Sequence, residues 1–162
     1  FWRQITSDFL SWSKIPSGQR HPFRVDAEDL EGMCADYERT IQKSGGLDLI
    51  MLGLGPNGHI ASNEPGTSFD SRTRPVLLTR ETETYIRSDE VQYGSVSGRA
   101  VTLGIGTIME AREIVLLVSG AAKQEALKRA VSGPVSEALP ASVLQRHPRC
   151  VVIADQAAAA PL

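Results

Sequence analysis

Leu47-Asp-Leu-Ile-Met-Leu-Gly-Leu-Gly-Pro-Asn-Gly-His59 is the stretch that decides the fold class. Leu47–Leu54 is an apolar run too short for an ordinary helix, and it ends in a glycine-rich turn. That combination reads as a buried β-strand. Three glycines fall within the six residues Gly53–Gly58. They permit a tight turn and let a ligand approach the backbone closely. In open α/β sheets, ligands sit outside the carboxyl ends of the strands, and Gly53–His59 occupies that kind of position.

Further along the chain, Glu113–Ser119 and Cys150–Ala154 are near-continuous apolar runs, the pattern expected of strands in a sheet covered on both faces. Val101–Ile105 is a shorter strand and Arg74–Thr79 an extended segment. Helices are expected between them. One starts at Asp26, the expected N-cap, with Glu28 and Asp29 in its first turn, carries Leu30, Met33, Tyr37 and Ile41 on one face, and stops at Gly45-Gly46. Others are Gly106–Ala111, Ala121–Val131, Pro140–Arg146 and a start in the alanine run 157–160. Phe1–Trp12 reads as a short helix, residues 13–25 as loop, 60–73 as loop, and 80–98 as helix followed by loop. Strands alternating with helices imply an α/β fold with a mostly parallel sheet. Residues 1–162 are taken as one domain.

The bulk properties exclude several classes. The 162 residues are 41% hydrophobic and 22% charged, with a net charge of −2. There is no basic stripe suited to nucleic acid and no apolar run of the length a bilayer requires. Phe1-Trp2-Arg3-Gln4 does not resemble a signal peptide. Cys34 and Cys150 lie far apart without metal-ligand neighbours, and read as reduced thiols of a cytoplasmic protein. The opening without Met suggests a fragment or a processed chain.

The chemistry concentrates between Gly53 and Arg74. His59 can accept and donate protons near neutral pH. Glu64, five residues on and past a turn, is placed to fold back and orient the imidazole. Asn57 can hydrogen-bond but cannot act as a base. The alternative is that His59 only caps the turn and Glu64 is a solvated loop residue.

The run Gly55-Pro-Asn-Gly-His-Ile-Ala-Ser-Asn-Glu-Pro-Gly66, followed by Ser71-Arg-Thr-Arg74, resembles the signature of the glucosamine-6-phosphate deaminase (isomerase) family. Thr102-Leu-Gly-Ile-Gly-Thr-Ile108, Ser119-Gly120 with Lys123, Gln145 with His147-Pro148, and Val152-Ile-Ala-Asp155 extend the resemblance over about residues 26–156. It implies a Rossmann-like parallel sheet with flanking helices, lacking the N-terminal part of the family domain. The implied activity is hydrolytic deamination and isomerisation of glucosamine 6-phosphate, or galactosamine 6-phosphate, to a ketose 6-phosphate and ammonium. It belongs to amino-sugar and N-acetylglucosamine catabolism, with no cofactor and no metal. His59 would open the pyranose ring, with Glu64 tuning it. Lys123 would pair with the substrate phosphate. Gly53, Gly55 and Ala61 would line the sugar. The partner is the aminosugar phosphate, and a homo-oligomer is compatible with the family.

This sequence departs from the family's pattern in three ways. Asn57 stands where the deaminases usually carry aspartate, and an amide cannot stabilise imidazolium by charge; slower ring opening is expected. Arg87 is near the family's phosphate-binding arginine but out of register. No Gly-Gly-Ser/Thr-Pro loop or Asp-Glu-Tyr motif occurs, so the base that abstracts the C2 proton is expected outside this chain, which alone would be inactive. Two other readings stay open: a 6-phosphogluconolactonase-like hydrolase, which His59-Ile-Ala-Ser62 also fits, and a non-catalytic sugar-phosphate-binding domain. Arg72 and Arg74 read as surface charges, with Val76 replacing a lysine used in allosteric binding. His147 reads as a packing or capping residue, His21 as a loop residue, and Trp2 and Trp12 as core or interface aromatics.

Overall fold

A computed structural model describes residues 2–80, 84 and 98–160. Its centre is a parallel sheet of three strands in the order β1 (Leu49–Gly53), β4 (Glu113–Val118), β5 (Cys150–Ala154). Leu49 pairs with Glu113 and Gly53 with Leu117; Ile114 pairs with Cys150 and Val118 with Ala154. All three strands therefore end at one edge. β-Branched residues dominate β5 and share β4 with two leucines, which suits a pleated surface.

β2 (Arg74–Leu77) and β3 (Arg99–Thr102) do not join that sheet. They form a separate antiparallel ribbon, Arg74 opposite Thr102 and Leu77 opposite Arg99. This revises the simpler expectation of one alternating sheet. The segment read as helix and loop over 80–98 lies mostly outside the described residues.

The long helix α2 (Leu30–Lys43) follows a short α1 (Trp2–Ile5), which continues as a π-helical turn over Thr6–Leu10. Asp29, not Asp26, caps α2. Its backbone is extended, and its carboxylate accepts the Gly32 N–H at 2.8 Å. Either aspartate has the right chemistry for a cap; the chain turns helical only at Leu30. After β3 come α3 (Ile105–Met109), α4 (Gln124–Ser132) and α5 (Gln156–Ala159), with a 3₁₀-helix over Pro140–Arg146.

The core lies on one side of the sheet. Leu52, Ile114, Leu116 and Val118 point into it and meet Ile105 and Ile108 of α3, Leu127 of α4 and Leu144 of the 3₁₀-helix. Ile60, in the turn after β1, is fully enclosed in the same cluster. The turn is thus anchored by apolar burial directly beside the candidate residues Asn57 and His59. The other side of the sheet differs from expectation: Leu49, Met51, Leu117, Val151 and Ile153 are exposed. Trp2 and Trp12 are also exposed, so neither is a core residue here. Cys34 is buried and Cys150 half-buried, both as free thiols, and burial raises the pKa of each.

Candidate active site

Three turns leave the carboxyl edge of the parallel sheet: Leu54–His59 after β1, Ser119–Lys123 after β4, and Asp155 after β5. The first is closed by its own backbone. Gly55 N–H donates to His59 C=O at 2.9 Å, and Gly58 N–H to Gly55 C=O at 3.0 Å. This folds the His59 ring onto Gly55. A Cβ at residue 55 would lie 2.3 Å from the imidazole Nδ1 and Cε1, so only glycine leaves room for the ring. Ala61 sits at φ 50°, left-handed backbone that turns the chain back toward Asn63.

His59 and Glu64 are brought together, with Asn57 between them. Asn57 Nδ2 donates to Glu64 Oε2 at 2.8 Å. A carboxylate only accepts, so this contact fixes which way the amide faces. Its Oδ1 then lies 2.8 Å from His59 Nδ1 and accepts the His59 backbone N–H at 3.1 Å. Nδ1 must carry the proton to satisfy that oxygen, which leaves Nε2 as the imidazole's accepting nitrogen. Glu64 Oε2 is 3.8 Å from Nδ1, close enough to stabilise a protonated ring through space. Both side chains are largely buried, at 12% and 13% exposure, which strengthens that attraction over its value in water. Thr79 Oγ1 donates to the other carboxylate oxygen at 3.4 Å. Glu64 therefore reaches the imidazole mainly through the Asn57 amide, rather than by the direct contact its spacing suggested.

Behind this triad lies a scaffold that the sequence reading did not identify. Asn63 is fully buried; its amide donates to Ile60 C=O and Leu103 C=O, and its oxygen accepts from Arg74 Nη1 at 2.9 Å. Arg74 is thus tied into the site loop. Glu38 of α2 accepts from Thr107 Oγ1 at 2.6 Å, from Thr73 N at 2.9 Å, from the Thr73 hydroxyl, and from Arg72 Nη2 at 2.7 Å. Arg72 also pairs with Glu110. Burial alone would raise the Glu38 carboxyl. The hydroxyls of Thr107 and Thr73, the Thr73 N–H and the Arg72 guanidinium outweigh it and hold the pKa below the ordinary carboxylate value. The loop also packs on Gly104: a Cβ there would sit 2.1 Å from Ser71 C=O.

Lys123 is buried at 7% exposure. It ends a 3₁₀-turn and precedes α4, whose amino end favours negative charge. Asp155 braces the start of that turn. It accepts the Ser119 hydroxyl at 2.6 Å and the Gly120 N–H at 3.0 Å, and caps α5 through the Ala158 N–H. The Ser119 and Ala158 bonds are the main causes that lower its pKa. Gly53 lies at the strand end and is exposed, as is Ala61. His147 is buried, with Nε2–H donating to Ala111 C=O and Nδ1 accepting the Arg149 N–H, a capping role. Tyr37 donates to His21 C=O, an ordinary loop contact. Arg87 falls outside the described residues.

Fold and site define an α/β protein with a histidine held in a glycine-rich turn at the carboxyl edge of a parallel sheet. Residues 2–153 match the model of the family described as glucosamine-6-phosphate isomerases/6-phosphogluconolactonase. The chain belongs to that family. It is 47% identical over 149 residues to a glucosamine-6-phosphate deaminase of Shouchella clausii, covering 90% of this chain and 59% of that one. It is 50% identical over 139 residues to the deaminase of Rhodopirellula baltica, covering 84% and 54%. A solved monomeric glucosamine-6-phosphate deaminase superposes with a TM-score of 0.91 at 36% identity, covering 97% of this chain and 65% of that one. The 6-phosphogluconolactonase of Trypanosoma brucei shares the fold alone, at 22% identity and a TM-score of 0.71. The chain thus spans between half and three fifths of the length of these two curated relatives.

Proposed function

We propose that this chain forms the larger part of one α/β domain of an aminosugar-6-phosphate deaminase, with glucosamine 6-phosphate as substrate. The observation that carries the proposal is the Glu64–Asn57–His59 relay, which holds the imidazole in one orientation with Nε2 as its basic nitrogen. In ring opening, Nε2 takes the proton of the C1 hydroxyl and delivers a proton to the ring oxygen as the C1–O bond breaks. The imidazolium formed between these two transfers is stabilised by Glu64 at 3.8 Å. Asn57 holds the tautomer. Lys123 receives the 6-phosphate beside the amino end of α4, and Gly53, Gly55 and Ala61 give the sugar access to the backbone. Residues beyond those of this chain supply the base for the C2 proton. Water then replaces the amine, and ammonium and a ketose 6-phosphate leave. No cofactor takes part.

The test is ammonium release by a protein that holds the complete family domain, assayed with glucosamine 6-phosphate and galactosamine 6-phosphate. Release from the glucosamine sugar supports the proposal. Hydrolysis of 6-phosphogluconolactone without ammonium release moves the assignment to the lactonase branch. Phosphosugar binding without turnover reduces the chain to a binding domain.

A further inference from the structure

One short strap, residues 136–141, leads from α4 into the 3₁₀-helix and grips the site loop by both of its arms. On the His59 arm, Ala141 N–H donates to Gly58 C=O at 2.9 Å. A Cβ at residue 58 would lie 2.3 Å from Leu139 Cδ1, so this buried leucine rests directly on the turn. On the Glu64 arm, Pro65 and Gly66 form the corner of a turn closed by Thr67 N–H donating to Glu64 C=O at 3.0 Å, with Gly66 at φ 89°. Gly66 N–H donates to Glu137 C=O at 2.8 Å, and Phe69 N–H donates to the Glu137 carboxylate at 3.0 Å. One residue of the strap therefore takes two main-chain donors from the arm that carries Glu64. The strap is itself fixed. Ser142 is fully buried, and its hydroxyl accepts Ser136 N–H at 2.9 Å and donates to Ser136 C=O at 3.1 Å.

We infer that Glu137 is a positioning residue of the Glu64–Asn57–His59 relay. Its carbonyl and carboxylate set where the Glu64 turn lies, while Leu139 and Ala141 set where the His59 turn lies, so one strap fixes the separation of the two. Phe69 is half-buried against the core, with the Arg146 guanidinium 5.9 Å from its ring centroid, which makes its N–H a steady anchor. The carboxylate bond to that N–H aims the Glu137 carbonyl at Gly66, and a bond to a carboxylate is about twice as strong as one between neutral groups. The consequence runs through Asn57, whose amide nitrogen meets Glu64 and whose oxygen meets His59 Nδ1, at 2.8 Å each. When the Glu64 turn drifts, Oε2 leaves Nδ2, the carboxylate no longer dictates which way the amide faces, and the Nδ1–H tautomer loses its preference. This geometric role assumes nothing about the substrate; its effect on turnover rests on the proposed ring opening.

The test compares Glu137→Ala and Glu137→Gln in the protein that holds the complete family domain. Glu137 is exposed, so both variants are expected to fold. The first readout needs no substrate: the nitrogen NMR shifts of the His59 imidazole, which report the nitrogen that carries the proton. The unsubstituted protein and Glu137→Gln, which keeps an acceptor for Phe69 N–H, are expected to show the Nδ1–H form. Glu137→Ala is expected to show a mixture of both tautomers. The second readout is turnover of glucosamine 6-phosphate. Glu137→Ala is expected to lower kcat about five- to tenfold at unchanged KM, part of the roughly 10²–10⁴ that a positioned acid or base contributes, with Glu137→Gln close to the unsubstituted protein. A residue that only stabilises the fold would lower the urea midpoint and leave the tautomer alone. An unchanged tautomer in Glu137→Ala therefore overturns the inference, whatever the turnover. So does a tautomer shift of equal size in Glu137→Gln. A shift confined to Glu137→Ala, in a protein that releases no ammonium, upholds the positioning role and counts against the proposed reaction.

Discussion

Gly55 and Asn57 shape the site more than their modest chemistry suggests. The imidazole of His59 lies where a Cβ on residue 55 would be, so Gly55→Ala must push the ring away from Asn57. The expected result is a fall in turnover of at least about tenfold, with a stability loss of about 1–3 kcal/mol from overpacking, measured by steady-state kinetics and urea unfolding. Asn57 separates two functions that the sequence could not distinguish. If it merely fills space, leucine and aspartate should be equally tolerated. If it fixes the Nδ1 proton, Asn57→Leu should lower kcat by about 10- to 100-fold, part of the roughly 10²–10⁴ that a positioned acid or base contributes, with little change in KM. Asn57→Asp, which keeps an oxygen facing Nδ1, should retain turnover. Equal losses in the two variants would show that the amide oxygen does not hold the ring. That His59 and Glu64 belong together was legible from five-residue spacing across a turn. That the link runs through Asn57 was not, because residue type alone does not say which way an amide faces until its carboxylate neighbour is placed.

At the scale of elements, α2 is joined to the site loop by one acid. Glu38 of α2 accepts from Thr73, in the loop just before β2, and from Thr107 of α3, so two helices and the site loop meet at one carboxylate. Its pKa is depressed, so its ionised form is favoured by folding. The stability it contributes is present above the ordinary carboxyl value and is lost as pH falls through its lower folded value. Glu38→Gln should therefore cost about 1–2 kcal/mol at neutral pH and flatten the acid limb of the stability profile. Urea midpoints of both proteins between neutral and acidic pH test this; parallel profiles would mean that the charge is not engaged. The signal for Glu38 was available in the sequence. Leu30, Cys34 and Glu38 fall at four-residue steps, one stripe of the helix, and Cys34 is its buried member. The stripe through Met33 and Tyr37 is more hydrophobic and drew the reading away from it. The β2–β3 ribbon was hidden for a different reason: short extended segments carry no mark of which sheet they join.

For the molecule as a whole, the parallel order of the three strands followed from the alternation of apolar runs with helices. The bare face did not. Leu47–Leu54 reads as a buried strand whether its second face is covered by this chain or by another segment, since periodicity records that a side chain is apolar and not what covers it. The architecture therefore places the candidate chemistry at the carboxyl edge of β1 while leaving that strand's outer side open. The same arrangement explains how a chain spanning little more than half of its relatives' length can contain a fully organised Glu64–Asn57–His59 relay. Among the described residues, that relay is built on the turn after β1, Ile60 in the core, and the braces from Asn63 and Thr79. The most direct test of the account is ammonium release from cyclic glucosamine 6-phosphate by the protein holding the complete family domain, with His59 intact and with His59→Gln. The account predicts a loss of about 10²–10⁴-fold in kcat for the variant. Unchanged turnover on the cyclic sugar would contradict it.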